Sequence, residues 1–203
     1  MKVKADSLPV METFYSLQGE GFYQGNAAYF IRLAGCDIGC HWCDVKESWD
    51  AQAHPSLNID DLVAEAQKYF SKLVIVTGGE PLMHDLTILT KELKSKGLHT
   101  HIETSGAYPL TGTWDWICLS PKKFKEPLKE VCEKADELKI IIFNKSDFEF
   151  AEKYKTLVGE ACQLYLQPEW DKQSDMLPSV IEYIKQHPEW QMSLQTHKYM
   201  QIP

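Results

Sequence analysis

The sequence predicts an α/β fold built on a mainly parallel β-sheet. Short apolar runs rich in branched and aromatic residues alternate with longer amphipathic stretches, and polar motifs follow most of the apolar runs. This alternation is typical of repeated βα units, in which parallel strands lie under a cover of helices. At 203 residues, the chain is shorter than the about 250 residues of a complete eight-fold barrel. We therefore expect an incomplete barrel or an open doubly wound sheet.

The predicted strands and helices follow an N-terminal segment. Apolar runs predict strands at residues 28–35, 72–78, 98–104, 114–120, 138–143, 162–167 and 191–196. Helical patterns lie at about residues 59–71, 84–96, 123–135, 147–158 and 176–187. Asn58 suits the N-cap position of the first helix, and Gly97 predicts the end of the second. The length allows one sizeable hydrophobic core, so we expect residues 1–203 to form a single domain.

The charge balance limits the partners of the chain. The net charge is −8, so no global positive field attracts a nucleic acid backbone or an anionic membrane surface. No apolar run approaches the roughly 20 residues that span a bilayer, and the first residues lack the apolar middle of a signal peptide. We expect a cytoplasmic protein that acts on small molecules or other proteins, with no nucleic acid partner and no membrane partner.

Polar motifs stand where the predicted strands end. They are GCDIGCHWCD after the first strand, TGGEP after the second, ETSG after the third, SPK after the fourth, QPEW after the sixth and QTHK after the last. In parallel α/β folds, binding and catalytic groups gather at the carboxyl ends of the strands. The sequence therefore predicts one functional site at this edge of the sheet.

Three of the six cysteines, Cys36, Cys40 and Cys43, form a C-x3-C-x2-C pattern on a loop that contains Gly35 and Gly39. The other three are scattered through apolar segments, a distribution that favours a metal site plus buried thiols over disulfides. A 4Fe-4S cluster ordinarily takes four thiolates, so three would leave one iron without a protein ligand. Such an iron can bind S-adenosylmethionine and deliver an electron to its sulfonium, which releases a 5′-deoxyadenosyl radical.

Other kinds of cysteine site remain open at this point. A zinc site normally has four protein ligands. His41 is the nearest further donor, but it lies between two of the cysteines on a very short loop, where it reaches the same metal only awkwardly. A redox dithiol, an ordinary electron-transfer cluster and a chance grouping of cysteines are the remaining alternatives.

The cysteine loop and a second motif resemble the radical S-adenosylmethionine superfamily. Its signature is C-x3-C-x-aromatic-C, here with Trp42 as the aromatic residue, and its GGE motif matches Gly78, Gly79 and Glu80. Glycines at a strand end let a ligand approach the backbone closely, and Glu80 can accept from the cofactor's ammonium group. A tight turn before a helix is the alternative explanation of GGE. The resemblance implies an incomplete parallel (β/α) barrel of about six strands.

Further motifs resemble one family of that superfamily. The segments 14–25 (FYSLQGEGFYQG), 30–36 (FIRLAGC) and 193–203 (SLQTHKYMQIP), together with TGGEP, ETSG and SPK, are similar to 7-carboxy-7-deazaguanine synthase, with similarity from residue 8 to 203. The resemblance implies a carbon-nitrogen lyase that converts 6-carboxy-5,6,7,8-tetrahydropterin into 7-carboxy-7-deazaguanine and ammonia, in queuosine and other 7-deazapurine biosynthesis. It also implies a 4Fe-4S cluster, S-adenosylmethionine, a homodimer and an electron donor such as a flavodoxin.

The resemblance assigns roles to individual residues, none of them a covalent nucleophile. The cluster ligands would be Cys36, Cys40 and Cys43. Contacts to S-adenosylmethionine would come from Trp42, Cys43, Asp44, Gly78, Gly79, Glu80, Glu103, Ser105, Ser120, Pro121, Lys122, Gln167, Pro168, Glu169 and Trp170. Substrate contacts would come from Leu17, Gln18, Gly19, Arg32, Thr77 and Pro203.

Four of these assignments carry a specific expectation. Arg32 would hold the substrate carboxylate with its planar guanidinium, and the terminal carboxylate of Pro203 would close the substrate pocket. His197 and Lys198 are candidate proton carriers, although a structural histidine explains His197 equally well. A surface ion pair is the alternative for Arg32, and a polar turn is the alternative for LQGEG.

Val45 departs from the family pattern. Family members carry a hydroxyl residue after the CD pair, and its oxygen helps to bind a magnesium ion. Mg²⁺ needs oxygen ligands, and the valine side chain has none. Magnesium would be held by substrate and water, replaced by a looser cation, or absent, so we expect a weaker magnesium dependence.

Two rival functions account for part of the sequence. A glycyl-radical-activating enzyme has the same cysteine spacing, but its protein substrate leaves LQGEG and QTHK unexplained. A non-enzymatic iron-sulfur electron carrier, or a zinc-binding interaction module, would use the cysteine loop alone. Iron content and cofactor cleavage distinguish the non-enzymatic rivals from the predicted synthase, and incubation with the carboxypterin tests the synthase itself.

Overall fold

A computed structural model describes residues 6–203, in which nine strands form one open sheet. The strands are β1 (Ser7–Leu17), β2 (Ala27–Leu33), β3 (Ser56–Asn58), β4 (Leu73–Gly78), β5 (His99–Thr104), β6 (Trp116–Leu119), β7 (Glu137–Ile142), β8 (Gln163–Pro168) and β9 (Trp190–Met192). Their spatial order is β3-β1-β2-β4-β5-β6-β7-β8-β9. Strand β1 is antiparallel to β2 and to β3. The other seven strands of the order, which are β2 and β4 to β9, are parallel to one another. The predicted incomplete α/β barrel is confirmed, with seven parallel strands rather than about six.

Six helices accompany the sheet. They are α1 (Ile59–Ala66), α2 (Thr87–Ser95), α3 (Lys129–Glu133), α4 (Asp147–Lys155), α5 (Gln173–Gln186) and α6 (Thr196–Met200), with short 3₁₀ helices at Lys46–Trp49, Ala51–Ala53 and Pro81–Met83. The predicted N-cap is confirmed, because the side chain of Asn58 accepts a hydrogen bond from the backbone N–H of Asp60 at 2.8 Å. None of the helices described within residues 6–203 is long and apolar enough to cross a bilayer.

Three predictions of local structure are wrong. The helix predicted at 123–135 shortens to α3, because Pro127 disfavours helical backbone before it and Lys122 forms an isolated β-bridge with Lys125. The last strand ends at Met192, and the QTHK motif begins α6 instead of completing a strand. Strands β1 and β3 lie in segments for which we predicted no strand.

The side chains of the parallel strands alternate between two environments. On β7, Leu138, Ile140 and Ile142 are fully buried in a cluster that includes residues of α3, α4 and α5. The intervening Lys139 and Ile141 line a cavity on the opposite face. On β8 and β5, apolar side chains that are buried in the core also alternate with polar side chains that line the cavity, the inner face of the sheet. The helices therefore cover one face of the sheet, and the other face is left to form a site.

The end of β4 lies directly against β2. Gly78 has a φ of +132°, and a β-carbon at this position would lie 2.1 Å from the carbonyl oxygen of Leu33. Only glycine combines this backbone conformation with such a close approach. The carboxyl ends of β2 and β4, and the loops that follow them, are thereby held together.

We expect Gly78→Ala to lower the free energy of unfolding by at least about 2 kcal/mol, because backbone strain and overlap add. Gly25→Ala is the matched control for strain alone, since Gly25 has a φ of +84° and no neighbour within 4 Å of its β-carbon position. Gly25→Ala should lower the free energy of unfolding by about 1 kcal/mol. Urea unfolding measures both changes, and equal losses would contradict the close approach to Leu33.

Candidate active site

The carboxyl ends of the strands surround one cavity of about 600 Å³. Its wall includes members of every polar motif that the sequence predicts for the site. The predicted residues that line it are Leu17, Gln18, Gly19, Arg32, Cys36, Cys40, Trp42, Cys43, Asp44, Val45, Thr77, Gly78, Gly79, Glu80, Glu103, Ser105, Ser120, Lys122, Gln167, Glu169, Trp170, His197, Lys198 and Pro203. The structure thus brings together residues from β1 to the end of the chain.

Two predicted cofactor contacts, Pro121 and Pro168, do not line the cavity. Pro168 is buried at the end of β8, one position after the cavity-lining Gln167, and successive side chains of a strand point to opposite faces. Pro121 is buried between Ser120 and Lys122, both of which do line the cavity. The two prolines therefore contribute to the shape of their loops rather than to the cavity wall.

The cysteine loop is fastened to the segment that follows it. The backbone N–H of Cys36 donates to the carbonyl of Trp49 at 3.1 Å, and that of Cys43 donates to the carbonyl of Cys40 at 3.1 Å. All six cysteines are free thiols. Burial raises the pKa of Cys36 and raises that of Cys40 to about 11. Both thiols must therefore lose a proton when they bind a metal.

The residues around the loop fit a three-thiolate iron-sulfur cluster. The three cysteines all line the cavity, and thiolate sulfur is the ligand that such clusters take. A β-carbon at Gly79 would lie 2.3 Å from the carbonyl oxygen of Gly35 and 3.0 Å from the β-carbon of Cys36, so only glycine lets the GGE turn lie beside the loop.

His41 is not a fourth metal ligand in this arrangement. It is exposed, its ring contacts Phe124 and Phe143 edge-on at 5.6 and 5.1 Å, and it does not line the cavity. Without His41, the loop offers three thiolates, which is the ligand set of a cluster with one open iron and not that of a Cys₃His zinc site. The geometry thus favours the iron-sulfur interpretation over the zinc alternative.

Glu80 joins the end of β4 to the end of β5. Its buried carboxylate accepts hydrogen bonds from the Leu82 N–H at 3.0 Å, the Thr104 hydroxyl at 2.5 Å, the Ser105 N–H at 2.8 Å and the Ser105 hydroxyl. A carboxylate offers about four acceptor sites, and here protein donors use all four. Glu80 therefore positions the ETSG motif, and an ammonium group would have to share these acceptors.

A buried group of charged and amide side chains forms another part of the wall. Lys139 Nζ lies 2.5 Å from Glu20 Oε2 and 3.7 Å from Glu103 Oε2. Gln18 donates to Glu103 at 2.7 Å, and Gln195 donates to Glu20 at 2.9 Å. Burial alone would lower the pKa of Lys139, but the carboxylates of Glu103 and Glu20 hold it well above its usual value. Lys139 is thus a buried cation that two partly buried carboxylates keep charged.

These contacts add detail to the sequence analysis. The assignment of Glu103 to S-adenosylmethionine stays a prediction, and the structure adds that its side chain accepts a hydrogen bond from Gln18, a predicted substrate residue. Lys139 and Glu20 were not predicted at all. The available signals were a lysine inside the apolar run LKIIIF and a second acidic position in LQGEG. A charged residue in the middle of a buried strand is a sign of a site or of a buried pair.

Arg32 lies at the rim of the cavity on β2. Its Nε donates to Glu12 at 2.7 Å, and its guanidinium lies 5.7 Å from the centre of the Phe14 ring. Phe14 stacks on Phe30 at 4.8 Å, and both rings line the cavity. The ion pair with Glu12 exists, as the alternative interpretation proposed, but Arg32 also belongs to the cavity wall.

Helix α6 connects the LQGEG segment to the cysteine loop. Both the N–H and the hydroxyl of Thr196 donate to the carbonyl of Gly19, at 3.0 and 2.9 Å. Lys198 Nζ lies 2.7 Å from Asp44 Oδ2. His197 lines the cavity between these contacts, and burial lowers its pKa, which favours the neutral imidazole at neutral pH. The end of the described chain therefore forms one side of the site.

The sequence analysis did not predict several residues of the cavity wall. Apart from Lys139 and Glu20, they are Phe14, Phe30, Ile38, Trp49, Thr104, Ile141, Gln195 and Ile202. Most are apolar, and an apolar residue at the inner position of a strand looks the same in sequence as one in the core. Only the direction of each side chain in the folded sheet distinguishes them.

Replacing Lys139 by methionine should lower the free energy of unfolding by about 3 kcal/mol, because Glu20 and Glu103, whose side chains are only 14% and 22% exposed, would lose their buried cation. Adding Glu20→Gln to that variant should restore part of the loss, since one of the two carboxylates is removed. Lys134→Met, at an exposed position, is the control and should change stability by less than about 0.5 kcal/mol. Chemical denaturation measures the stability of all three variants. If Lys139→Met lost no more stability than the Lys134→Met control, the proposed charge balance would be wrong.

Comparison with known proteins places the chain in a family. Residues 30–143 match the model of the Radical SAM superfamily. Proteins called 7-carboxy-7-deazaguanine synthase are 56% identical in Flavobacterium psychrophilum, covering 98% of this chain and 95% of the relative, and 50% identical in Synechocystis sp., covering 97% and 94%. The crystal structure of QueE from Escherichia coli matches with a TM-score of 0.83 and 32% identity over 93% of each chain. The chain therefore belongs to the 7-carboxy-7-deazaguanine synthase family of radical SAM enzymes.

Proposed function

We propose that the chain converts 6-carboxy-5,6,7,8-tetrahydropterin into 7-carboxy-7-deazaguanine and ammonia, as a carbon-nitrogen lyase. One observation carries the proposal: the three loop thiols share a cavity with Arg32 and with the buried polar group around Lys139. A cavity that joins a cluster site to a polar, partly aromatic pocket suits a radical reaction on a small heterocycle. A glycyl-radical-activating enzyme has no need of such a pocket.

The cysteine end of the cavity would bind the cofactors. When bound, the reduced cluster and S-adenosylmethionine supply hydrogen-abstracting radical chemistry that no side chain can provide. Cys36, Cys40 and Cys43 would hold the cluster. Lys122 donates to the carbonyl and hydroxyl oxygens of Ser120 at 2.6 Å and lies 5.7 Å from the Trp42 ring centre, so SPK is already ordered against the loop.

The polar group would bind the pterin. The pyrimidine edge of a pterin carries amino and N–H donors beside a carbonyl acceptor. Glu20 and Glu103 can accept from the donors, and Gln18 can serve either kind of atom. Lys139 holds the two carboxylates in place and limits their repulsion. Arg32 would pair with the substrate carboxylate, and Thr77 lies beside it in register on β4.

The protein's task is to orient and enclose the substrate. The product differs from the substrate by one molecule of ammonia, so the reaction consumes no net electrons. Any hydrogen that the bound cofactors would remove from the substrate would therefore be returned to it, so S-adenosylmethionine would act as a catalytic cofactor. Helix α6 contributes His197 and Lys198 to the cavity wall, where they would help to exclude water from this exchange. His197 is the candidate acceptor of a substrate proton at its imidazole.

The proposal extends to the setting of the reaction. It includes a homodimer and a one-electron donor such as a flavodoxin, both of which rest on resemblance to the family. It also includes a cytoplasmic location, because six free thiols and an iron-sulfur cluster suit a reducing compartment.

The decisive assay is anaerobic incubation of the reconstituted, reduced protein with the carboxypterin. We expect 7-carboxy-7-deazaguanine to accumulate over many turnovers with little loss of S-adenosylmethionine. Cys40→Ala should reduce turnover by at least about 100-fold, because even outer contacts of a metal site are worth 10 to 100-fold. Cys132→Ala is the control, since Cys132 is buried on α3 and does not line the cavity. Stoichiometric consumption of S-adenosylmethionine, or no deazapurine, would disprove the proposed function.

Magnesium should matter less here than in relatives that carry a hydroxyl at the Val45 position. Val45 lines the cavity, and its carbonyl already accepts from the N–H and the hydroxyl of Ser48, at 3.1 and 2.7 Å. The neighbouring Asp44 carboxylate pairs with Lys198. The protein therefore offers few uncommitted oxygen ligands at this point.

We expect removal of magnesium to change wild-type turnover by less than about threefold, and Val45→Thr to make turnover more dependent on magnesium. Val158→Thr, which lies outside the cavity, is the matched control and should leave the magnesium response unchanged. Turnover is measured over a magnesium titration after chelation. A steep requirement that Val45→Thr leaves unchanged would contradict this interpretation.

A further inference from the structure

A second set of metal-ligating side chains lies on the inner face of the sheet. His101 on β5, Cys118 on β6 and Glu137 on β7 belong to three adjacent strands, and each is 1% exposed. One ligand atom from each side chain, a ring nitrogen, a sulfur and a carboxylate oxygen, lies within 4.8 Å of the other two. The cysteine loop contributes no residue to this group.

His101 lacks a protein partner for either ring nitrogen. Within residues 6–203, no group forms a hydrogen bond with its Nδ1 or its Nε2. The nearby Tyr23 ring is tilted against it at 5.5 Å, but the Tyr23 hydroxyl bonds to His99 instead. A buried polar atom without a partner is costly. The position of His101 therefore indicates that one of its nitrogens binds something other than the protein.

Glu137 is held in place as a ligand would be. Its Oε2 accepts from the indole N–H of Trp116 at 3.0 Å and from the backbone N–H of Phe22 at 3.3 Å. Such supporting bonds orient metal-binding carboxylates. The Cys118 sulfur lies within 4.8 Å of a carboxylate oxygen of Glu137, so one metal ion could contact both.

We propose that His101, Cys118 and Glu137 bind one Zn²⁺ ion at a site separate from the cysteine loop. Nitrogen, sulfur and carboxylate oxygen together are a donor set that zinc takes and that magnesium and calcium do not. Three protein ligands leave the fourth tetrahedral position for water or backbone. A thiolate and a carboxylate also balance the two positive charges, so the buried site is neutral overall.

A bound cation would change the protonation of this group. Burial raises the pKa of Cys118 and of Glu137 and lowers that of His101, because without a metal burial favours the uncharged form of each. A divalent ion reverses this preference for the two acids. Lys139 is the nearest competing cation, and Glu20 and Glu103 already neutralise it.

The site would connect the strands that support the substrate pocket. Glu103 follows His101 by two residues on β5, and Lys139 follows Glu137 by two residues on β7, so each pair shares the inner face. A metal ion bound two residues before Glu103 on β5 and two residues before Lys139 on β7 would hold strands β5, β6 and β7 at a fixed separation. This role is independent of the radical chemistry.

The test uses full-length protein in which Cys36, Cys40 and Cys43 are all replaced by alanine, so that the loop cannot bind the probe. Anaerobic titration with Co²⁺ should give one equivalent bound, with a thiolate-to-cobalt absorption band that Zn²⁺ abolishes. Cys118→Ser should remove the band and weaken binding by at least about 100-fold. Cys132→Ser, a buried cysteine outside the group, is the matched control and should retain both.

Zinc should also raise the melting temperature of the parent and of the Cys132→Ser variant, because it binds the folded state. It should not raise that of Cys118→Ser or of His101→Gln. Absence of the cobalt band in the folded parent would by itself overturn the proposal, and so would unchanged affinity in Cys118→Ser. These outcomes do not depend on the pterin assay, because the protein tested carries no loop cysteines.

Discussion

The period-two alternation of the parallel strands is the constraint on which the rest of the structure depends. The outer positions, such as Leu138 and Ile140, are apolar and pack beneath the helices. The inner positions, such as Lys139, carry the groups that need protection from water. Parallel sheets that are covered on both faces have apolar residues at nearly every position. Here the helices cover only one face, so the polar inner face is free to become a binding site.

Such an inner face is stable only if its charges compensate one another. Lys139 achieves this by pairing with Glu20 and Glu103, which come from a loop and from β5, two strands away in the sheet. Each would be costly to bury alone. The group therefore stabilises the fold and presents acceptors to a ligand through the same contacts. His101 is the inner residue whose polar atoms the described chain leaves unpaired, which is why it indicates a further ligand.

Backbone contacts then bring the cofactor motifs to this face. Gly78 and Gly79 let the end of β4 approach Leu33 and Gly35, and Glu80 holds the ETSG segment of β5. These contacts involve residues far apart in the chain. The short GGE motif therefore positions the ends of β2 and β5 as well as its own turn. The cysteine loop depends on the same approach, since Gly79 lies beside Cys36.

The sequence by itself determined the fold class, predicted the three cluster ligands and identified most of the cavity wall, because strand alternation and C-x3-C-x2-C spacing are local patterns. It also located Arg32 and LQGEG through their resemblance to the family. Only the tertiary structure decided which side chains face inward. It turned Pro168 away from the cavity, placed Glu103 beside Gln18, and revealed the pairing of Lys139. The physical reason is that the burial of a side chain, and its hydrogen-bond and ion-pair partners, depend on which strands lie next to one another in the sheet. A pattern along the sequence does not specify that arrangement.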